Sequence, residues 1–197
     1  MSEIVSSRPV MDDGGFECFK ERLAGSTCYL EYGCGGSTVY ACNEAKLATV
    51  ISVESDRDWA KNVRDSLSGS QSTLRLEWCD IGEVGDWGTP KNRNKLDNFW
   101  KYMATPWIIA KTNSWVPDTV LIDGRFRVAC FLYSLISARL GTTILFDDYF
   151  DRPHYFVVEE FCRISARRGR MGVFSVSHQY STTDIAARIA QYSVIWA

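Results

Sequence analysis

Residues 28–41 read CYLEYGCGGSTVYA. An apolar run carries Glu31 near its end; Gly33, Gly35 and Gly36 follow, and then residues that can open a helix. A plain turn needs one glycine or two. An acid and three glycines just past a strand point to backbone that turns sharply and lets a ligand come close. In an open α/β sheet that place has a meaning, because ligands bind beyond the carboxyl ends of the strands where the strand order reverses.

Outward from this stretch, short β-branched or aromatic runs recur: 27–32, 48–54, 73–79, 118–123, 142–148, 172–177 and 192–197. Helical patterning lies between most of the first five. STVYACNEA follows the first run. DRDWAKNVRDSLSG follows the second, with Trp59, Val63 and Leu67 spaced for one face. RVACFLYSLISARLG follows the fourth and YFVVEEFCRISARRG the fifth, each ending in glycine. Strands alternating with helices predict a doubly wound α/β sheet. The last two runs read as a long antiparallel hairpin at the sheet edge. One domain over 1–197 is expected, with 1–25 as an N-terminal extension.

The rhythm breaks between Ile81 and Asn113. The stretch is rich in Gly, Trp, Lys and Asn, and NKLDNFWKYMA is its best helix candidate. It reads either as a lid inserted over 81–113 or as an ordinary crossover helix with a loose entry.

The totals exclude several classes. A net charge of -2 gives no bulk attraction for nucleic acid. Two histidines make a histidine-rich metal site unexpected. Seven cysteines, with no C-x-x-C pair, read as free thiols packed as small hydrophobes in a reducing compartment. No apolar stretch approaches about 20 residues and the first residues have no apolar core, so neither a membrane span nor a signal peptide is expected. The expectation is a cytoplasmic protein, with the apolar SVIWA segment as a candidate homodimer edge.

An acid about 20 residues past the glycines should end the second strand and accept ribose hydroxyls. Glu54 meets that demand. The third glycine of a dinucleotide fingerprint is missing, since Thr38 stands there. At the far ends of the fourth and fifth strands stand Asp123 and the pair Asp147 and Asp148. Three carboxylates in a small volume repel one another unless protonated or bridged by a cation.

The E-x-G-x-G-G pattern resembles motif I of the class I S-adenosylmethionine-dependent methyltransferases. That resemblance implies a Rossmann-like seven-stranded sheet, mostly parallel with an antiparallel last strand. It implies S-adenosylmethionine as cofactor, held by Glu31, Gly33, Gly35, Gly36, Glu54 and, at the adenine, Asp80. Asp123, Asp147 and Asp148 resemble the metal set of the catechol and caffeoyl type O-methyltransferases, which implies Mg²⁺ or another divalent cation; Asp148 stands where that group has asparagine. Segments DGRFRVACFLYSL and GDWGTP resemble proteins related to plant glucuronoxylan O-methyltransferases and imply a small polar, sugar-like or acidic acceptor. Alternatives are an NAD(P)-dependent oxidoreductase and a non-catalytic nucleoside-binding protein of the same fold.

Three further residue sets remain. Asp123 and Asp147 are catalytic candidates, and His154 is a candidate base or a loop residue. Arg125 and Arg127 either pair with the acids or clamp an anionic group. The arginines of RISARRGR read as a solvated helix end.

Overall fold

The computed structural model describes residues 4–67 and 69–196. Residues 1–3 of the expected extension, Ser68 of the second helical stretch and Ala197 of the last run lie outside them. The described residues form one seven-stranded sheet with helices on both faces.

Five strands fall where the apolar runs predict: β1 Cys28–Tyr32, β2 Thr49–Glu54, β3 Thr73–Trp78, β4 Thr119–Ile122 and β5 Thr143–Phe146. They are parallel. β1, β2 and β4 are buried almost throughout, which is why they read as continuous apolar runs. The remaining strands are β6 Ile164–Arg168 and β7 Met171–Ser175, and the order is β3-β2-β1-β4-β5-β7-β6. β7 runs antiparallel between β5 and β6.

Two expectations fail here. The stretch 155–169 is not an α-helix: Pro153–Glu160 is a 3-10 helix and Ile164–Arg168 is β6. The hairpin is therefore β6–β7, closed at Gly169 with φ 60°. Nor is the last run a strand. It begins at Tyr192, the last residue of helix α6 (Thr182–Tyr192), and Trp196 packs edge-on against Phe99 at 5.9 Å. Among the described residues that segment forms no strand.

Alternation along β1 divides the molecule. Cys28, Leu30 and Tyr32 face the core shared with α4 (Phe99–Thr112), α5 (Arg127–Ser137) and α6. Tyr29 faces the other core, with α1 (Asp13–Leu23) and the π-helical turn Tyr40–Glu44 that follows α2 (Gly36–Val39). Helix α1 is anchored through Phe16, Phe19 and Leu23, so it packs one face on the core. Helix α3 (Arg57–Asp65) starts at the Asp56 cap and buries Val63. The second half of the irregular stretch is α4, a crossover helix that buries Phe99, Tyr102, Met103 and Trp107. Each such side chain contributes about 1.5–3 kcal/mol. Only 81–98 is irregular.

All seven cysteines are free and buried, as expected of small hydrophobes. Among the described residues no helix is long and apolar enough to cross a membrane.

Candidate active site at the carboxyl edge of the sheet

Strand order reverses between β1 and β4, and two glycines face each other there. Gly33 has φ 88°. A Cβ on it would lie 2.8 Å from the Gly124 Cα, and one on Gly124 would lie 2.8 Å from the Gly33 nitrogen. Neither position admits a side chain. The other two glycines differ. Gly35 is open, with only the Trp59 ring near 3.9 Å from a Cβ there. Gly36 is pressed by the chain itself: a Cβ there would lie 2.6 Å from the Arg8 carbonyl oxygen, so the packing of the N-terminal segment demands a glycine.

Glu31 lies beneath this turn, fully buried. Its carboxylate accepts from Tyr29 Oη at 2.8 Å, from Ser37 Oγ at 2.7 Å and from Thr38 Oγ1. Thr38 Oγ1 in turn accepts from the Gly35 N–H at 3.0 Å. Burial pushes the Glu31 carboxyl above its usual range, and the three hydroxyls pull it back. Glu31 thus fixes the turn.

Glu54 stands at the end of β2, 6% exposed. Oε2 accepts from Cys34 N at 3.1 Å; Oε1 accepts from Ser55 N at 2.6 Å and Asp56 N at 2.9 Å. Burial raises its pKa against these donors. A turn closed by the Val84–Pro90 bridge covers it. Ser55 Oγ donates to the Gly88 carbonyl at 2.9 Å, and a Cβ on Gly88 would lie 3.0 Å from Glu54 Oε1. Trp87 at the tip is 78% exposed, in left-handed backbone with φ 59°. Asp80, past β3, is half-buried and pairs with Lys95, which holds its carboxyl below the usual range.

The acids behave as the strand ends predict, and gain partners the strand ends do not reveal. Oxygens of Asp123, Asp147 and Asp148 lie within 4.8 Å of one another. Arg127, buried at the start of α5, reaches Asp123 at 3.0 Å and Asp148 at 3.2 Å. Arg152 reaches Asp148 at 3.0 Å. Arg170 reaches Asp147 at 3.0 Å and Asp148 at 2.9 Å. Arg170 comes from the hairpin, so the RISARRGR arginines are not a solvated helix end. Three carboxylates thus face three guanidinium groups. Burial nonetheless pushes Asp123 up to about 7, with Arg127 opposing, and pushes Asp147 up against Arg170.

A methyltransferase-like protein from Silicibacter pomeroyi is 33% identical to this chain, matches over 96% of it and 98% of its own length, and superposes with a TM-score of 0.86. The chain belongs to the class I S-adenosylmethionine-dependent methyltransferases. A structure from the conversion of a disulfide bond into a thioacetal group during echinomycin biosynthesis is 13% identical, over 92% of this chain and 88% of its own, with a TM-score of 0.51, and shows the shared fold alone. An O-methyltransferase from Bacillus cereus in complex with SAH is 16% identical over 86% of this chain and 84% of its own, with a TM-score of 0.49. No family model and no curated protein matches.

The residues of this methyltransferase fit its cofactor. The facing glycines let the two loops pack backbone to backbone, Gly35 is open, and Glu54 offers carboxylate oxygens at the β2 end. They do not fit a divalent cation, which would have to displace guanidinium groups already within 2.9–3.2 Å of the same carboxylates. His154 stands apart: it is exposed and its ring packs on Tyr155 at 4.4 Å. Among the described residues it makes no hydrogen bond to the acids.

Proposed function

We propose that this protein methylates a hydroxyl of a small polar acceptor, with Asp123 as the base and no metal ion. S-adenosylmethionine, when bound, supplies an electrophilic methyl group. The open turn at Gly35 receives it, and Glu54 accepts its ribose hydroxyls once the Val84–Pro90 turn lifts. Asp80 is the adenine contact, after exchanging its partner Lys95. Asp123 takes the proton of the acceptor hydroxyl, and positioning supplies much of the remaining rate.

One observation carries the choice of base. Asp123 is the most accessible of the three acids, its side chain 27% exposed against 1% for Asp147 and 15% for Asp148. It also has one guanidinium partner, whereas Asp148 has three. Asp147 and Asp148 then serve as the arginine-bound floor of the site. His154 has no part in the reading.

Calorimetric titration with S-adenosylhomocysteine tests it, on wild type, Glu54→Ala and Asp123→Asn, each with Mg²⁺ and with chelator. The expected result is binding that Glu54→Ala loses, that Asp123→Asn keeps, and that the chelator leaves alone. Absence of binding in wild type would overturn the reading.

A further inference from the structure

Four arginines stand at the carboxyl edge, and three are consumed by the aspartates. Arg125 is the fourth. Among the described residues it makes no ion pair with any acid. Its Nη1 reaches Thr89 Oγ1 at 3.3 Å, and its Nε is buried without an acceptor. A buried donor without a partner is costly, and an unpaired guanidinium more so. The chain tolerates this at a point it has made rigid. Phe126 follows in left-handed backbone with φ 55°, held by the Phe99 ring at 4.9 Å and the Tyr102 ring at 5.6 Å. Tyr102 Oη accepts from the Arg125 N–H at 3.4 Å.

We propose that Arg125 binds an oxyanion, carboxylate or phosphate, carried by the methyl acceptor. The inference rests on the methyl-transfer reading and names the acceptor's class. Arg125 lies two residues past Asp123, and its side chain points to the turn that covers the cleft. An anion seated on it lies between the base and that turn. The guanidinium fork matches carboxylate or phosphate oxygens in pairs, and the unpartnered Nε–H supplies half of such a fork. In the cofactor-free chain Lys91 of the covering segment pairs with Glu83 and Lys95 with Asp80.

The test follows arginine Nε–H resonances of the full chain by NMR while inorganic phosphate, then acetate, is added, with and without S-adenosylhomocysteine. Comparison with Arg125→Lys and Arg125→Met assigns the signal, and a thermal melt checks their folding. The expected result is a saturable shift in wild type. In Arg125→Met, backbone amides near Gly124 should show affinity lower by about tenfold, with Arg125→Lys between, as loss of a paired charge-assisted contact predicts. No saturable shift, or one that Arg125→Met retains, overturns the proposal. So does a fall in S-adenosylhomocysteine affinity in Arg125→Met that 5′-methylthioadenosine, which lacks the amino-acid end, does not share; the anion is then the cofactor's own carboxylate. Failure of wild type to bind S-adenosylhomocysteine sinks the methyl-transfer reading instead, and the cofactor-free titration still reads the arginine.

Discussion

The Ser55 hydroxyl donates to the Gly88 carbonyl at 2.9 Å and so ties the end of β2 to the turn above Glu54. On the proposed reading Glu54 accepts the ribose hydroxyls, and cofactor exchange then requires that turn to open. Ser55→Ala removes one hydrogen bond worth about 1 kcal/mol. Association and dissociation of S-adenosylhomocysteine should both speed up by about fivefold, with the dissociation constant moving less. Trp87, exposed at the tip of the turn, is the reporter for stopped-flow fluorescence. Unchanged rates would show that the turn does not gate the site.

A charge-balanced cluster makes a second prediction. Asp147 is nearly inaccessible, and Arg170 is the guanidinium that its side chain meets at 3.0 Å. Arg170→Met strands a buried carboxylate and should cost about 3–5 kcal/mol in urea unfolding. Mg²⁺ should stabilise that variant, because a vacated carboxylate cluster attracts a hard cation. Wild type should show no Mg²⁺ dependence. A wild-type melting shift with Mg²⁺ would restore the metal reading.

Glu31 gives a third, through stability. Replacement by Ala leaves the hydroxyls of Tyr29, Ser37 and Thr38 without their shared acceptor in a buried place. The expected cost is about 3 kcal/mol in denaturant unfolding. S-adenosylhomocysteine affinity should fall as well, because Thr38 positions the Gly35 amide. A loss of affinity with no loss of stability would mean that Glu31 meets the ligand itself.

Much of this site was legible in the sequence because topology fixes where strand ends go. Parallel neighbours bring Gly33, Glu54, Asp123 and Asp147 to one edge, whatever the loops do. The partners that arrive from irregular or exposed segments were not legible. β6 is mostly exposed, so ISARR shows no apolar alternation to mark it as a strand, and Arg170 was hidden with it. Gly88 reaches Glu54 across 34 positions of sequence through a turn with no periodicity. YSVIWA has strand composition, yet its aromatic end docks on Phe99 of α4 and leaves the sheet alone.

Asp123 supplies the last prediction, with two opposite readings of one shift. Burial raises its carboxyl from the ordinary 3.8 to about 7. As a base it acts deprotonated, so kcat/KM should climb with pH and level off above about 7. Stability should move the other way. Between 3.8 and about 7 the folded chain holds a proton on Asp123 that the unfolded chain has lost. The stabilisation from this group is complete below 3.8 and disappears as pH rises through about 7. Asp123→Asn carries no titrating proton, so it should flatten this part of the stability profile while lowering turnover by about 10²–10⁴-fold. Thermal melts of both proteins across the interval, set beside their pH–rate profiles, check the pair. A base elsewhere would leave the rate profile of Asp123→Asn with its inflection intact.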